Sequence, residues 1–523
     1  MMMAPTITVY DTTLRDGAQR AGLSFSLADK LRIARRLDAL GLPYIEGGWP
    51  GSNPKDARFF AELRRRPLRQ AKAVAFSSTR KAAAGVEEDP TLQSLLEADT
   101  PTVAIFGKSW DHHVTVALGT SLEENLRMIA ESVAHLRRQG REVVYDAEHF
   151  FDGLRANPDY AWATLEAAAE AEADWLVLCD TNGGTLPWTV AEAVREAARR
   201  FPGQRLGIHA HDDGGVGVAN TLAAVEAGAL MVQGTVNGYG ERCGNANLCT
   251  VIADLELKMG RLCLPPGRLA EITAVSHYVS EVANLPSTDS LPYVGRNAFT
   301  HKAGVHVSAL AKDPVLYEHT PPESVGNQRH ILVSELAGRS NLLNRFADSL
   351  EPAEAASLLE LVKAREFEGY QYEGAEASLE LLSRGGPAPF QLLGLRVLVS
   401  DGGEAGARSE VSIKLKVGER VVHTAAEGNG PVNALDSALR KALMEVYPEV
   451  ARVRLTDYKV RVLEGSDGTA ARVRVLIESS DGERAWGTVG VSVNILEASW
   501  QALADSLVFY LTVKGARPAA VSP

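Results

Sequence analysis

The stretch "LGIHAHDDGGVGVAN", residues 206–220, brings two imidazoles to the end of a short apolar run. Leu206 to Ala210 reads as a buried strand, and residues two apart on a strand face the same way. His209 and His211 therefore point past the strand end together, which suits either a polar strand terminus or two nitrogen ligands of a metal ion. Two imidazoles alone hold a divalent ion weakly. Asp16, in "YDTTLRDGAQ" (10–19), and Asn245, in "NGYGERCGNANL" (237–248), would add a carboxylate and an amide oxygen if the first, seventh and eighth turns of a closed ring meet. Such a set leaves room on a six-coordinate Mg2+, Mn2+ or Zn2+ for a bidentate 2-oxo acid. The ion would act as a Lewis acid on the ketone. Arg15 would donate hydrogen bonds to the ketone oxygen as it gains negative charge; its alternative role is an ion pair at the rim.

These residues need a scaffold that gathers them. Up to about residue 260 one unit recurs: a short β-branched, apolar run, a polar or glycine-rich turn, then a helix-period segment. The runs are "ITVYD" (7–11), "PYIEG" (43–47), "AKAVAF" (71–76), "TVAIFG" (102–107), "EVVYDAE" (142–148), "DWLVLCD" (174–180), "RLGIHAH" (205–211) and "LMVQGTV" (230–236). Ser26 and Ser121 are placed to cap helices that Gly41 and Gly140 stop. The repetition predicts an α/β fold, a (β/α)8 TIM barrel over residues 1–265. The alternative is an open doubly wound sheet, which the lack of a G-x-G-x-x-G after the first run disfavours. Asp11, Arg15, Asp16, Glu46, Glu148, Asp180, Thr181, Asn182, His209 and His211 all fall at or just after strand C-terminal ends, where barrel enzymes keep their chemistry.

Bulk properties narrow the partners. At 523 residues the chain is too long for one ordinary core. It is 45% hydrophobic and 23% charged, as globular proteins are. A net charge of -12 argues against nucleic acid or an anionic membrane as partner. No segment reads as a signal peptide or a membrane span, and Cys179, Cys243, Cys249 and Cys263 form no C-x-x-C pair. A cytoplasmic protein with packed thiols is expected.

The motifs "YDTTLRDGAQ", "HAHDDGGVGVAN" (209–220) and "NGYGERCGNANL" resemble, in order, three signatures of the metal-dependent Claisen condensing enzymes that join acyl-CoA to 2-oxo acids. That family includes 2-isopropylmalate, homocitrate and citramalate synthases. The resemblance implies that Asp16, His209, His211 and Asn245 hold the metal and that Arg15 polarises the keto oxygen. "IEGGWPGSNPKDARFF" (45–60) and "VGNQRHILVSELAGRSN" (325–341) are similar to the citramalate branch, which implies pyruvate as the oxo acid and acetyl-CoA as co-substrate. Gln19, Glu46 and Thr181 are the expected substrate contacts, Thr181 to the carboxylate.

The base that enolises the acetyl group is Glu148 or His306. The resemblance places the segment holding His306 and Tyr317 over the barrel mouth of a partner subunit, so a homodimer is expected. Ser308 stands where the family often has an acid, which leaves no carboxylate there. Cys243 lies where related lyases carry a reactive cysteine, but within a condensing-enzyme motif, and is read as packing. His112 and His113 read as a solvated or packed loop pair, with a substrate-side role as the alternative.

Residues 266–385 read as a mostly helical linker, and 386–523 as an α+β regulatory or dimerisation domain with an internal repeat. "TAAEGNGPVNALDSAL" (424–439) aligns with "TVGVSVNILEASWQAL" (488–503), which implies two ββ(β)α units. The turn carrying Gly428, Gly430 and Pro431 resembles the family's effector-binding turn, with isoleucine as the implied ligand; a purely dimerising module is the alternative. Three rival functions stand: another condensing enzyme, a lyase dependent on Cys243, and a non-catalytic amino-acid sensor.

Overall fold

The computed structural model describes residues 6–332, 352–401, 407–463 and 470–513. The latter part of the 325–341 motif lies outside the described residues. The eight runs form strands β1 (Thr8–Asp11), β2 (Tyr44–Gly48), β3 (Lys72–Ser78), β4 (Thr102–Lys108), β5 (Glu142–Glu148), β6 (Trp175–Asp180), β7 (Arg205–Ala210) and β8 (Met231–Gly234). They close into a parallel barrel in sequence order. β1 pairs with both β2 and β8, with Val9 opposite Val232 and Tyr10 opposite Gln233, so the sheet has no open edge. This excludes the doubly wound alternative.

Neighbouring strand residues serve two apolar layers, as the pleat requires. Val9 and Val143 pack outward against the helices, while Tyr10 and Val144 fill the barrel interior with Val74, Phe76 and Val177. The helix signals hold as well. Ser26 and Asp29 form a reciprocal capping box at the start of Leu27–Leu40, which Gly41 ends at φ 97°. A Cβ on Gly41 would lie 2.5 Å from Pro265 Cδ, so the stop also admits the chain leaving the barrel. Ser121 caps Leu122–Arg138, which ends one residue before Gly140, at Gln139.

Contacts divide the chain into two units. The first holds the barrel to Phe299 together with Glu318–Arg329; the second holds Thr300–Tyr317 and the chain from His330 onward. The expected break at 265 falls within a continuous core, because Ile272, Val279, Tyr293 and Phe299 pack on the barrel's outer layer.

The second unit opens with a short parallel pair, β9 (Thr300–His301) and β10 (His330–Ile331). Strands β11 (Phe390–Asp401), β12 (Ala407–Val417) and β13 (Arg420–Gly428) then form an antiparallel sheet followed by the helix Pro431–Met444. Strands β14 (Arg454–Val462), β15 (Val473–Ser480) and β16 (Ala485–Ser492) repeat the pattern before the helix Ile495–Val513. Ile413, Leu439, Ile477 and Leu503 bury together, so the two βββα copies share one core. The helix Glu376–Arg384 belongs with them: Ser378 Oγ donates to Asp505 and accepts from Val489 N. No helix among the described residues is long and apolar enough to cross a membrane.

Candidate active site

Asp16, His209, His211 and Asn245 converge at the C-terminal mouth of the barrel, all buried. Asp16 Oδ2 lies 3.1 Å from His209 Nε2 and 3.9 Å from His211 Nε2. One ligand atom from each of Asp16, His209 and His211 falls within 4.8 Å of the others. Asn245 Nδ2 donates to Asp16 Oδ2 at 3.0 Å and faces His209 Nε2 at 3.1 Å. Its Oδ1 is buried without a partner, as is His211 Nδ1. Exchanging the amide O and N of Asn245, which have the same shape, turns Oδ1 toward the same point.

The protonation pattern fits a cation here. His209 Nδ1 meets Gln233 Oε1 at 2.9 Å, and Gln233 Nε2 donates to Asp146 Oδ1 at 3.0 Å. An amide oxygen on Nδ1 fixes the tautomer with its proton there and aims the Nε2 lone pair at Asp16. A lone pair 3.1 Å from a carboxylate oxygen is stable only with a proton or a cation between them. Burial disfavours charge on His209, but Asp16 outweighs it and raises the imidazole above its ordinary value. Burial and the neighbouring His209 lower His211 to about 4, leaving it neutral and ready to ligate. Burial alone would raise Asp16; Arg15 and the His209 hydrogen bond instead hold it far below the usual carboxylate range. The four residues therefore fit a divalent cation. Replacing Gln233 by leucine is expected to weaken that cation's affinity about 10–100-fold, read by titrating metal-free protein with Mn2+ and following the free ion by EPR.

Beside this group lies a cavity of about 230 Å3 lined by Arg15, Gln19, Asp146, Glu148, Thr181 and an aromatic wall. Arg15 is immobilised: its Nε donates to Glu46 at 2.5 Å, its Nη1 is 3.6 Å from Asp16, and its Cζ stands 3.7 Å over the Phe76 ring. Glu46 also accepts from Tyr10 Oη at 2.6 Å and does not line the cavity. The expected substrate contact at Glu46 is corrected: the carboxylate is engaged by Tyr10 and Arg15, and it orients the arginine. Glu148 pairs with Lys108, its register partner across β4 and β5. Thr181 Oγ1 accepts from His149 N at 2.9 Å, and its carbonyl accepts from Arg242, which grips Asp213 through two nitrogens.

Sequence reasoning missed Asp146, Gln233, Lys108 and the wall of Trp49, Phe76 and Phe106. Trp49 meets both phenyl rings edge-on, at 5.9 and 5.8 Å, and the phenyls stack at 5.4 Å. Asp146 is two residues before Glu148 and so shares its face, and Gln233 is a polar residue inside an apolar run; both signals were present. Burial pushes the Asp146 carboxyl up to about 7.

Other expected residues lie elsewhere. His306 and Tyr317 belong to the second unit, exposed, with rings stacked at 4.2 Å. Cys243, expected to be packed, is exposed and does not line the cavity, because its loop turns the thiol outward; the other three cysteines are buried and free. His113 packs against Trp110 at 5.0 Å and His149 at 4.1 Å, outside the cavity lining. Asp180 accepts from Thr185 and Asn220, closing its own loop. In the second unit Gly428 ends β13, Gly430 caps the next helix and Pro431 opens it. A Cβ on Gly428 would lie 2.5 Å from Ala434 N, whereas one on Gly430 would meet nothing within 4 Å. Gly428 is required by the turn itself; Gly430 leaves bare backbone facing outward.

Comparison with known proteins gives the family. Residues 6–279 match the HMGL-like family, 293–364 the homocitrate synthase post-HMGL domain-like family, and 376–511 the LeuA allosteric (dimerisation) domain. The chain is 54% identical to an (R)-citramalate synthase of Synechocystis sp., over 97% of this chain and 96% of that protein. It is 52% identical to the (R)-citramalate synthase of Aquifex aeolicus, over 97% and 98%. A 2-isopropylmalate synthase of Pseudoalteromonas atlantica is 31% identical over 96% of this chain and 95% of its own length.

Proposed function

Because the chain belongs to the HMGL-like family and is matched over almost its whole length by (R)-citramalate synthases, we propose that it condenses acetyl-CoA with pyruvate and, with water, releases (R)-citramalate and CoA. The observation that carries the reading is the buried convergence of Asp16, His209 and His211 beside an immobilised Arg15. A divalent ion held by these three and Asn245, whether Mg2+, Mn2+ or Zn2+, supplies Lewis-acid polarisation of the ketone.

The chain's own groups do the rest. Arg15 presents its remaining N–H donors to the ketone oxygen as charge accumulates there, and Glu46 and Phe76 remove its freedom to swing away. The Thr181 hydroxyl donates to the pyruvate carboxylate, and Gln19 lines the same cavity. Glu148, ion-paired with Lys108, takes the proton from the acetyl methyl; the enolate carbon attacks the ketone carbon and water then cleaves the thioester. His306 is the alternative base. His306 and Tyr317 lie on a segment whose Val305, Val315 and Leu316 are 75%, 79% and 59% exposed, as a segment that completes the site of a second copy would be. A cytosolic homodimer follows from this reading, with isoleucine as effector at the turn of Gly428, Gly430 and Pro431.

The test is thiol release from acetyl-CoA with pyruvate, 2-oxoisovalerate and 2-oxoglutarate in parallel, with and without isoleucine. Pyruvate should be the best acceptor by a wide margin; a better rate with either longer acid would reassign the chain to another condensing activity. Trp49, Phe76 and Phe106 form the apolar part of the cavity lining, and on this reading they face the methyl group of pyruvate. Phe106→Ala is therefore expected to shift the kcat/KM ratio toward 2-oxobutyrate over pyruvate by about tenfold or more. A lyase would need the thiol of Cys243, which stands outside the cavity lining. Cys243→Ala should leave condensation unchanged, and loss of activity would favour the lyase reading.

A further inference from the structure

The turn after β2 sets a tryptophan between two cavities. Trp49, Arg15 and Gln19 line the cavity beside the metal ligands, and the same three residues line a second one of about 240 Å3. They are the partition between the two spaces. In the first cavity the indole of Trp49 is steadied by its edge-on contacts with Phe76 and Phe106. Its backbone is held at both polar groups. The N–H donates to Asp56 Oδ2 at 3.0 Å, and the carbonyl accepts from Ser52 N and Asn53 N, each at 3.1 Å.

Asp56 is itself fixed from the second cavity. Its Oδ1 pairs with Lys30 Nζ, and both side chains are buried. The local sequence makes room for this pair. Gly48 sits at φ 143°, and a Cβ there would collide with the Asp56 carboxylate, while one on Gly47 would collide with the Phe59 ring. Lys30 Nζ lies 5.7 Å from the centre of that same ring. A buried ion pair adds little net stability, because desolvation offsets the attraction, so its use is to be found in what it positions. Here that is the Trp49 backbone.

We propose that Trp49 limits the length of the 2-oxo acid acceptor, and that the Lys30–Asp56 pair holds it in place through the hydrogen bond from Trp49 N to Asp56. This role rests on the condensation proposed above, in which the aromatic wall faces the pyruvate methyl. With the hold removed, the indole is free to withdraw and the two cavities join, which makes room for an ethyl group where pyruvate has its methyl. Trp49 is then a specificity-determining residue, and Lys30 and Asp56 are positioning residues that never touch substrate.

Two double variants separate the hydrogen bond from the charges. Lys30→Met with Asp56→Asn and Lys30→Met with Asp56→Leu both replace the ion pair by neutral groups of similar shape, which buried sites tolerate. Only asparagine still accepts from Trp49 N. The kcat/KM ratio of 2-oxobutyrate to pyruvate should rise about tenfold or more in the leucine pair and stay within about twofold of wild type in the asparagine pair. Trp49→Leu leaves the ion pair intact and should raise the ratio too, which serves where the leucine pair fails to fold. Fluorine NMR of protein labelled with 5-fluorotryptophan gives a readout independent of turnover. The chain has seven tryptophans, and the resonance missing from Trp49→Leu belongs to Trp49. That resonance should keep its wild-type position in the asparagine pair and shift or split in the leucine pair. If wild-type protein prefers a longer acid to pyruvate, the condensation reading is what fails, and the fluorine signal still decides whether the pair holds Trp49. Equal ratios in the two double variants, a wild-type ratio in Trp49→Leu, or one Trp49 resonance position common to both pairs would each overturn this role.

Discussion

Asp16→Asn is expected to lower thiol release with pyruvate by about 10^3-fold or more, with loss of bound metal. Asp16 is the anionic member of the proposed ligand set, and it accepts from Asn245 while facing both imidazoles. Losing the several kcal/mol of charge stabilisation that a bound ion supplies amounts to at least about three decades in rate. Fold should survive, because Arg15 keeps its partner in Glu46. Metal content by elemental analysis and citramalate by chromatography are the two measurements, and full turnover in a metal-free variant would remove the centre from the reaction. The same geometry sets a pH dependence. His209 is raised above its ordinary value by Asp16, so its proton competes with the cation as pH falls through that raised value. Apparent metal affinity should therefore be steady above it and weaken below it by about tenfold per pH unit for one displaced proton.

Arg15→Lys should cost about 10^2–10^3-fold in kcat while metal content stays at the wild-type level. Lysine keeps the charge but not the planar fork. One edge of the guanidinium engages Glu46 and its face lies on Phe76, which leaves the other donors aimed at the cavity. An ammonium can satisfy Glu46 or the developing alkoxide, but not both from one position. A loss confined to KM would mean that Arg15 only binds substrate, and would withdraw it from transition-state stabilisation. Glu46→Gln should reproduce part of the same kcat loss by loosening the arginine, with KM less affected.

Much of this site was legible because period-two geometry is a short-range rule. His209 and His211 announce their shared face, and β-branched runs punctuated by Ser26 and Gly41 announce the alternation that closes the barrel. The same rule applied to β5 would have given Asp146 beside Glu148. Glu46 could not be assigned this way. An acid at a strand end reads identically whether it faces substrate or a neighbouring arginine, and the path of the Arg15 side chain decides between them. Cys243 lies in a loop without periodicity, so nothing local sets its exposure. The aromatic wall gathers Trp49, Phe76 and Phe106 from successive units, a pairing that only the closed ring specifies. Likewise the boundaries expected at 265 and 385 follow composition, whereas Ser378 and Ile272 take sides through contacts far along the chain.

The proposed ligand set straddles the seam where β8 meets β1. Asp16 comes from the beginning of the barrel sequence, and Asn245 from just beyond its last strand. During synthesis the aspartate emerges some two hundred residues ahead of the asparagine, and no partial barrel can present both. Metal capture by this set would thus act as a clasp that fastens only after the ring has shut. Amide exchange along β1 and β8 should consequently slow on metal addition more than exchange along β3 and β4, on the far side of the circle.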